Sequence, residues 1–360
     1  MLILTNEDAA QVLTMRETIT TLEQLYDDLG RGSAIYRGRT DLFIPTSGGN
    51  DDAPCAYQLK TLDGAVPRWN VGSIRVTSDV VTFPEVAGQR RRVKIPTAKG
   101  KRYTGLVLLF DSATGELKSI LQDGMLQQFA VGAINAIGAK YLAREDAAVV
   151  ALFGAGGQAV TQILGLREVR PIRRVQVYTP TPGEADRFAQ ANSGSLGSDI
   201  VSAATPEEAL ANADIVVTAT NSRVPFFPAD WLKPGMHLSS LQRDEAMESC
   251  FRELDIVVFH TRAKEVEQAS TDFSEMEEKF GFEMHDHPAS NIDWNDYPDL
   301  GELVNGRVTG RANARQRTFF LNSTGCGAQY SAVGYLIHAK AIERGLGHEV
   351  PDELFTESIG

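Results

Sequence analysis

The residue pattern with the plainest chemical content is a glycine-rich turn, where the apolar run VVALF passes into GAGGQA and then into the helix-forming residues VTQILGL. Gly154 permits a tight turn, and Gly156 lets backbone N–H groups approach a pyrophosphate. Ala159 stands where a third glycine is usual and is small enough for a helix to pack closely on the strand. A helix beginning there points its N-terminal N–H groups at the anion. Glycine turns of this kind also arise for geometric reasons alone. Two other groups could do chemistry. Arg37 and Arg39 lie in a mixed strand and turn segment; arginine there is ordinarily solvated, yet its planar fork suits a carboxylate. His285, Asp286 and His287 suggest a metal, but two histidines at i and i+2 without a second ligand cluster read as loop residues.

The surrounding elements decide how the glycine turn is read. VQVYT, DIVVTAT, MHLSSL and DIVVFHT follow it, each separated by a stretch of helical character, and this alternation predicts a doubly wound parallel sheet. Upstream, apolar positions at helical spacing predict one amphipathic helix over residues 7–30, capped by Asn6 or Thr5 and ended by Gly30. Residues 56–121 are β-rich, with SATGE as a hairpin turn, and residues 123–144 form an alanine-rich helix leading into the glycine-turn strand. Near the end, TFFLNSTGCG predicts strand and glycine turn, followed by an apolar helix that returns to the N-terminal half. The basic cluster Arg90, Arg91, Arg92, Lys94, Lys99, Lys101 and Arg102 has no interleaved aromatic residue except Tyr103, so it reads as a solvated hairpin or loop.

Composition bounds the partners. The chain has 360 residues, 42% hydrophobic and 23% charged, enough for two soluble globular domains. A net charge of −12 disfavours nucleic acid or an anionic membrane as the main partner. Cys55, Cys250 and Cys326 are odd in number and widely spaced, which suggests neither a disulfide framework nor a zinc site. MLILTNEDAA lacks a basic leader with a long apolar core, and no run of about 18 apolar residues occurs, so the expected location is the cytoplasm. The second strand of the alternating region ends in Thr179, Pro180 and Thr181, where an NAD site normally presents Asp or Glu to the ribose 2′-OH. Without that carboxylate a 2′-phosphate is not repelled. The nearest bases are Arg173, Arg174 and Arg187, and the reading favours NADP over NAD.

The order GAKYLAR, FGAGGQA, DIVVTAT, PGMH and STG, closing on a helix that ends GLG, resembles the ornithine cyclodeaminase/mu-crystallin family over almost the whole chain. The resemblance implies an α/β fold with a central Rossmann-type doubly wound parallel sheet over residues 126–325. It also implies a second α+β domain, residues 1–125 plus 326–360, for substrate binding and dimerisation. It implies a nicotinamide cofactor and a small amino or imino acid substrate, and a homodimer. Gly154, Gly156, Gly157, Gln158 and Ala159 match the dinucleotide loop, and Thr179, Thr181, Thr218, Thr220 and Ser323 join them as expected cofactor contacts. Arg39 in GRT matches the carboxylate-binding arginine. Arg75 stands where the family has a substrate lysine; arginine keeps the charge but does not readily lose a proton. Asp244 falls on the acidic catalytic position, suited to proton transfer at substrate nitrogen or to activating water, and Thr324 on the substrate turn. Two positions depart from the pattern. Ala130 replaces an arginine that helps hold the substrate carboxylate, and Tyr330 replaces the acidic residue after STG. The leading expectation is an NAD(P)-dependent oxidoreductase acting on a C–N bond. The alternatives are an ornithine-type cyclodeaminase, which regenerates its cofactor and releases ammonia, and a mu-crystallin-like NADPH binder, which Ala130 favours.

Overall fold

The computed structural model describes residues 1–46, 55–86, 89–90, 92–100, 102–222, 224–243, 245–262, 267–270, 296–323 and 325–359. The chain begins with strand β1 (Leu2–Leu4) and helix α1 (Asn6–Val12), whose N-cap Thr5 accepts from the Asp8 amide while the Asp8 carboxylate accepts from the Thr5 amide. Helix α2 (Met15–Arg31) starts at a second cap, Thr14, and ends at Gly32 in the left-handed conformation, φ 73°. The sequence predicts one helix over 7–30. The structure has two, because Leu13 is extended and Thr14 offers its hydroxyl to the Glu17 amide.

The β-rich part folds as strands β2 (Thr40–Thr46), β3 (Cys55–Val66), β4 (Val71–Thr82), β5 (Thr104–Asp111) and β6 (Leu117–Gln122), paired antiparallel in that order, with β1 parallel beside β6. The β5–β6 turn is the SATGE hairpin, closed by the Asp111 amide on the Glu116 carbonyl. Residues Glu267–Ser270 add a parallel strand at the outer edge beside β2, so a segment from the second half of the sequence completes this sheet. One face is covered by the C-terminal helix Gly327–Arg344, on which α1 and α2 pack in turn, and buries Leu62, Val66, Val71, Val107 and Leu109. The other face exposes Leu42, Ile44 and Leu106.

Helix α3 (Asp123–Leu142) joins the two halves. It is apolar on all sides, with Ala133, Ile134, Ala136 and Ile137 fully buried, as expected of a helix packed by α2 on one side and by the second sheet and α4 on the other.

The second sheet is all parallel: β7 (Val149–Phe153), β8 (Arg174–Tyr178), β9 (Asp199–Ser202), β10 (Ile215–Thr218), β11 (His237–Ser240), β12 (Ile256–Phe259) and β13 (Thr318–Leu321), in spatial order β9-β8-β7-β10-β11-β13-β12. Its strands are apolar on both faces because helices such as α4 (Ala159–Val169) and α5 (Glu184–Asn192) cover it. The strand order reverses between β7 and β10, the place where doubly wound sheets open a crevice at their carboxyl ends. After β13 the chain turns into α6 (Gly327–Arg344), which packs on β3, β4 and α2 and so returns to the N-terminal half as the sequence predicts. Among the described residues no helix is long and apolar enough to cross a membrane.

Candidate active site

A cleft of about 660 Å³ opens at that reversal, lined by the glycine turn, by Thr179 and Thr181 after β8, and by Thr220 to Ser222 after β10. Gly154 has φ 98°, and a Cβ there would stand 2.5 Å from the Ala219 carbonyl oxygen. The tight turn therefore requires glycine on two independent grounds. Helix α4 begins at Ala159, which is fully buried against the sheet; its cap residue Gln158 makes no side-chain cap, and Gly156 and Gly157 are exposed. The loop that leads into α4 thus lines the cleft up to Gln158, and the N-terminus of α4 adjoins it, the place where a doubly wound sheet holds an anion. Gln158 donates to the Gln127 side chain on α3 at 2.8 Å, fixing the loop to the helix that joins the halves.

The wall of the cleft is aromatic. Phe153 stacks on Trp231 at 5.9 Å between centroids and meets Tyr178 and Phe226 at 5.7 and 5.8 Å, and all four line the cavity. This surface suits a planar ring. The residues present therefore fit a dinucleotide, with a phosphate cradle beside a flat apolar wall. At the far lip, the Thr179 hydroxyl donates to the Thr181 carbonyl and the Glu184 side chain lines the cleft. Of the three bases nearest in sequence, Arg173 and Arg174 lie at the opposite end of β8, with Arg174 paired to Asp199. Only Arg187, whose guanidinium lies 3.3 Å from where a Cβ of Gly183 would stand, is close.

Beneath the cleft floor is a residue that the sequence reading did not single out. Glu245 is fully buried. Its Oε1 accepts from the Thr220 amide at 2.8 Å and the Thr220 hydroxyl at 2.6 Å. Its Oε2 accepts from the Thr218 hydroxyl at 2.8 Å, the Ser240 hydroxyl at 2.8 Å and the Gln242 amide at 3.1 Å. Five donors from the ends of β10 and β11 converge on one carboxylate, which holds the 219–222 lining loop. Thr220 lines the cleft, whereas Thr218 is 1% exposed and turned into this network. No local pattern could have announced Glu245, because its partners come from two strands and the loop between them.

Asp244 and Thr324 lie outside the described residues, as do His285, Asp286 and His287. Among the described residues no group of three or more His, Cys, Asp or Glu side chains could hold a metal, and Cys55, Cys250 and Cys326 are buried and not joined in disulfides. Ser323 follows β13 directly, after Asn322, whose amide donates to the Val131 carbonyl of α3 at 2.9 Å. Beside it the buried His260 ring contacts the Tyr26 hydroxyl of α2, and burial lowers the histidine to about 4.

The two predicted anion contacts lie on or beside the covered face of the first sheet. Arg39 Nε is 3.1 Å from Asp41, which is 1% exposed. Arg75, on β4, places Nε and Nη2 at 2.8 and 2.6 Å from Asp123 Oδ2, with its guanidinium 4.8 Å over the Tyr330 ring. Burial opposes the Arg75 charge, yet Tyr330 and Asp123 more than offset it and raise its pKa. Burial likewise raises Tyr330. Ala130, on α3, is fully buried.

Residues 81–345 match the model of the ornithine cyclodeaminase/mu-crystallin family. The chain belongs to this family. Its fold covers 97% of its own length and 100% of that of Thermococcus litoralis Delta(1)-pyrroline-2-carboxylate reductase, solved in complex with NADH and L-proline, at TM-score 0.76 and 27% identity. Delta(1)-pyrroline-2-carboxylate reductase of Bacillus cereus is 29% identical over 255 residues, 69% of this chain and 75% of the relative. Alanine dehydrogenase of Archaeoglobus fulgidus is 28% identical over 251 residues, 68% and 73% of the two chains.

Proposed function

We propose that this family member is an NAD(P)-dependent oxidoreductase that reduces the C=N bond of a small imino acid to C–N, or in reverse oxidises the C–N bond of the amino acid to C=N. The observation that carries the reading is the full-length likeness to a reductase solved with NADH and L-proline, together with a phosphate cradle at the strand-order reversal of this chain. Gly154, Gly156, Gly157 and Gln158 hold the pyrophosphate, Thr179 and Thr181 the adenosine ribose, and Thr220 and Ser323 the nicotinamide half. When bound, the cofactor supplies or takes the hydride at the α-carbon. Asp244 moves the proton at the substrate nitrogen, and Thr324 and the Arg39 and Arg75 patch orient the carboxylate. We assign residues 1–125 plus 326–360 to the substrate and dimer domain and residues 126–325 to the cofactor domain, with Glu267–Ser270 joined to the former. The homodimer forms through the exposed apolar face of the first sheet, around Leu42, Ile44 and Leu106, where light scattering should give twice the mass of one chain.

The deciding experiment measures oxidation of NADH and NADPH with 1-pyrroline-2-carboxylate and with pyruvate plus methylamine. Net cofactor consumption supports the reductase. Ammonia release from ornithine without net consumption would instead support a cyclodeaminase. Tight cofactor binding with no turnover would support the binder that Ala130 favours.

A further inference from the structure

Strand register places a third cation beside the two arginines. On β2, β3 and β4 the covered face carries Asp41, Lys60 and Thr77 in one cross-strand row, and the next row pairs Leu62 with Arg75. Alternation confirms the side: Ala56, Gln58 and Leu62 on β3, and Ser73, Thr77, Asp79 and Val81 on β4, are buried. Lys60 is therefore directly opposite both Asp41 and Thr77 and diagonal to Arg75, within reach of a long side chain. Its side chain is 15% exposed, and Nζ is 3.8 Å from Asp41 Oδ2, an oxygen that accepts from Gln58 at 3.2 Å.

The same row continues through Thr77 to Gly105 on β5, and a methyl group on Gly105 would collide with the Asp123 carboxylate. Asp123 is the first residue of α3, one helical turn before Gln127, which holds the glycine loop through Gln158. On the other side, Leu62 is 3.3 Å from where a Cβ of Gly325 would stand, so Gly325 packs on β3 one inward position from Lys60. Lys60 thus shares its cross-strand row with Gly105, which abuts Asp123, and lies one inward position from Leu62, which abuts Gly325, while its ammonium and Arg39 both face Asp41. Arg75 is held twice by Asp123 and faced by Tyr330.

We infer that Lys60 is a substrate-specificity residue, whose ammonium meets the α-carboxylate of the imino or amino acid together with Arg39. The inference rests on the function proposed above and adds to it the cation that selects an acid over a plain imine. A compact ammonium on a flexible stem adapts to ring or open-chain substrates, while Arg39 supplies the directional fork.

The test compares 1-pyrroline-2-carboxylate with 1-pyrroline, the same ring without the carboxylate, in the wild type, Lys60→Met and Lys60→Arg. Loss of one charge-assisted contact should raise KM for the acid by about tenfold or more in Lys60→Met, with kcat within about threefold. KM for 1-pyrroline should stay unchanged, and Lys60→Arg should recover most of the loss. NADH affinity and melting temperature check that the variants are folded, and Lys60→Gln replaces Lys60→Met if the latter fails this check. An unchanged KM for the acid, an equal loss on both rings, or a fall in kcat alone would overturn the inference. If the wild type reduces neither ring, the proposed function fails separately. Lys60 is then read by broadening of the acetate resonance on adding the protein. Broadening that is lost in Lys60→Met supports the inference; broadening that persists, or is absent in the wild type, overturns it.

Discussion

Replacing Glu245 by glutamine tests the buried latch under the cleft with almost no change in shape. The carboxylate accepts from five donors, two of which are the backbone amides of Thr220 and Gln242. A glutamine amide turns one oxygen into a donor. If NH₂ takes the Oε1 place, the Thr220 amide loses its acceptor; if it takes the Oε2 place, the Gln242 amide loses its own. Hydroxyls can rotate to accept, but a backbone N–H cannot. One buried N–H left unsatisfied costs about 1–3 kcal/mol, and weakening the remaining bonds from charge-assisted to neutral adds about 1–2 kcal/mol. The expected loss of about 2–5 kcal/mol lowers the melting temperature by roughly 5–15 °C at about 2–4 °C per kcal/mol. Because Thr220, Asn221 and Ser222 line the cleft, the NADH dissociation constant should also rise, by about tenfold. Thermal melting and NADH fluorescence titration read the two effects. A variant that melts within 2 °C of the wild type and binds NADH equally well would refute the assignment of the loop's position to this carboxylate.

Gly154→Ala should weaken NADH binding by about tenfold or more, since a side chain there is both strained at φ 98° and opposed by the Ala219 carbonyl; an unaltered affinity would remove the loop from the cofactor site. Asp244→Asn should abolish turnover while leaving cofactor affinity within about threefold, and full activity would discard its proton-transfer role. Acid should destabilise the fold through two buried rings: burial, then the Arg311 and Arg170 charges, lower His237 to about 3, and burial lowers His260 to about 4, both from 6.5. Below pH 6.5 the unfolded chain takes up protons that the folded rings refuse, so stability falls with falling pH. At pH 5 each ring costs about 2 kcal/mol. Melting between pH 8 and pH 5 should show this loss, and His237→Gln should roughly halve it; an identical pH dependence in the variant would contradict the buried neutral ring.

The parts of this molecule legible in the sequence are those whose cause is local. The glycine turn is fixed by a backbone conformation that glycine adopts and by the apolar run before it, and the parallel sheet by repeated buried strands with helices between. The division of residues 7–30 into two helices was hidden because Thr14 interrupts the helix without interrupting the spacing of apolar residues. The aromatic wall was hidden for a different reason. Phe226 and Trp231 lie more than 70 residues beyond Phe153, and only the pairing of β7 with β10 brings their loop to it.

The substrate side shows the same limit most sharply. The resemblance in sequence puts Ala130, buried on α3, where an arginine is expected, and a count of motif residues reads this as a lost carboxylate contact. The antiparallel register of β2, β3 and β4 gathers Asp41, Lys60 and Arg75 on one face beside Arg39, so positive charge is supplied by the sheet rather than by the helix. That charge depends on the parity of the strand: a one-residue slip of β3 would turn Lys60 outward and Leu59 inward, exchanging a cation for a leucine at the same place. The hydrophobic alternation of β3, with Ala56 and Leu62 committed to the core, holds Lys60 to the covered face. The core residues therefore determine where the cation points, and a change at Leu62 that loosened the register would be felt first as lost discrimination between an imino acid and its uncharged ring.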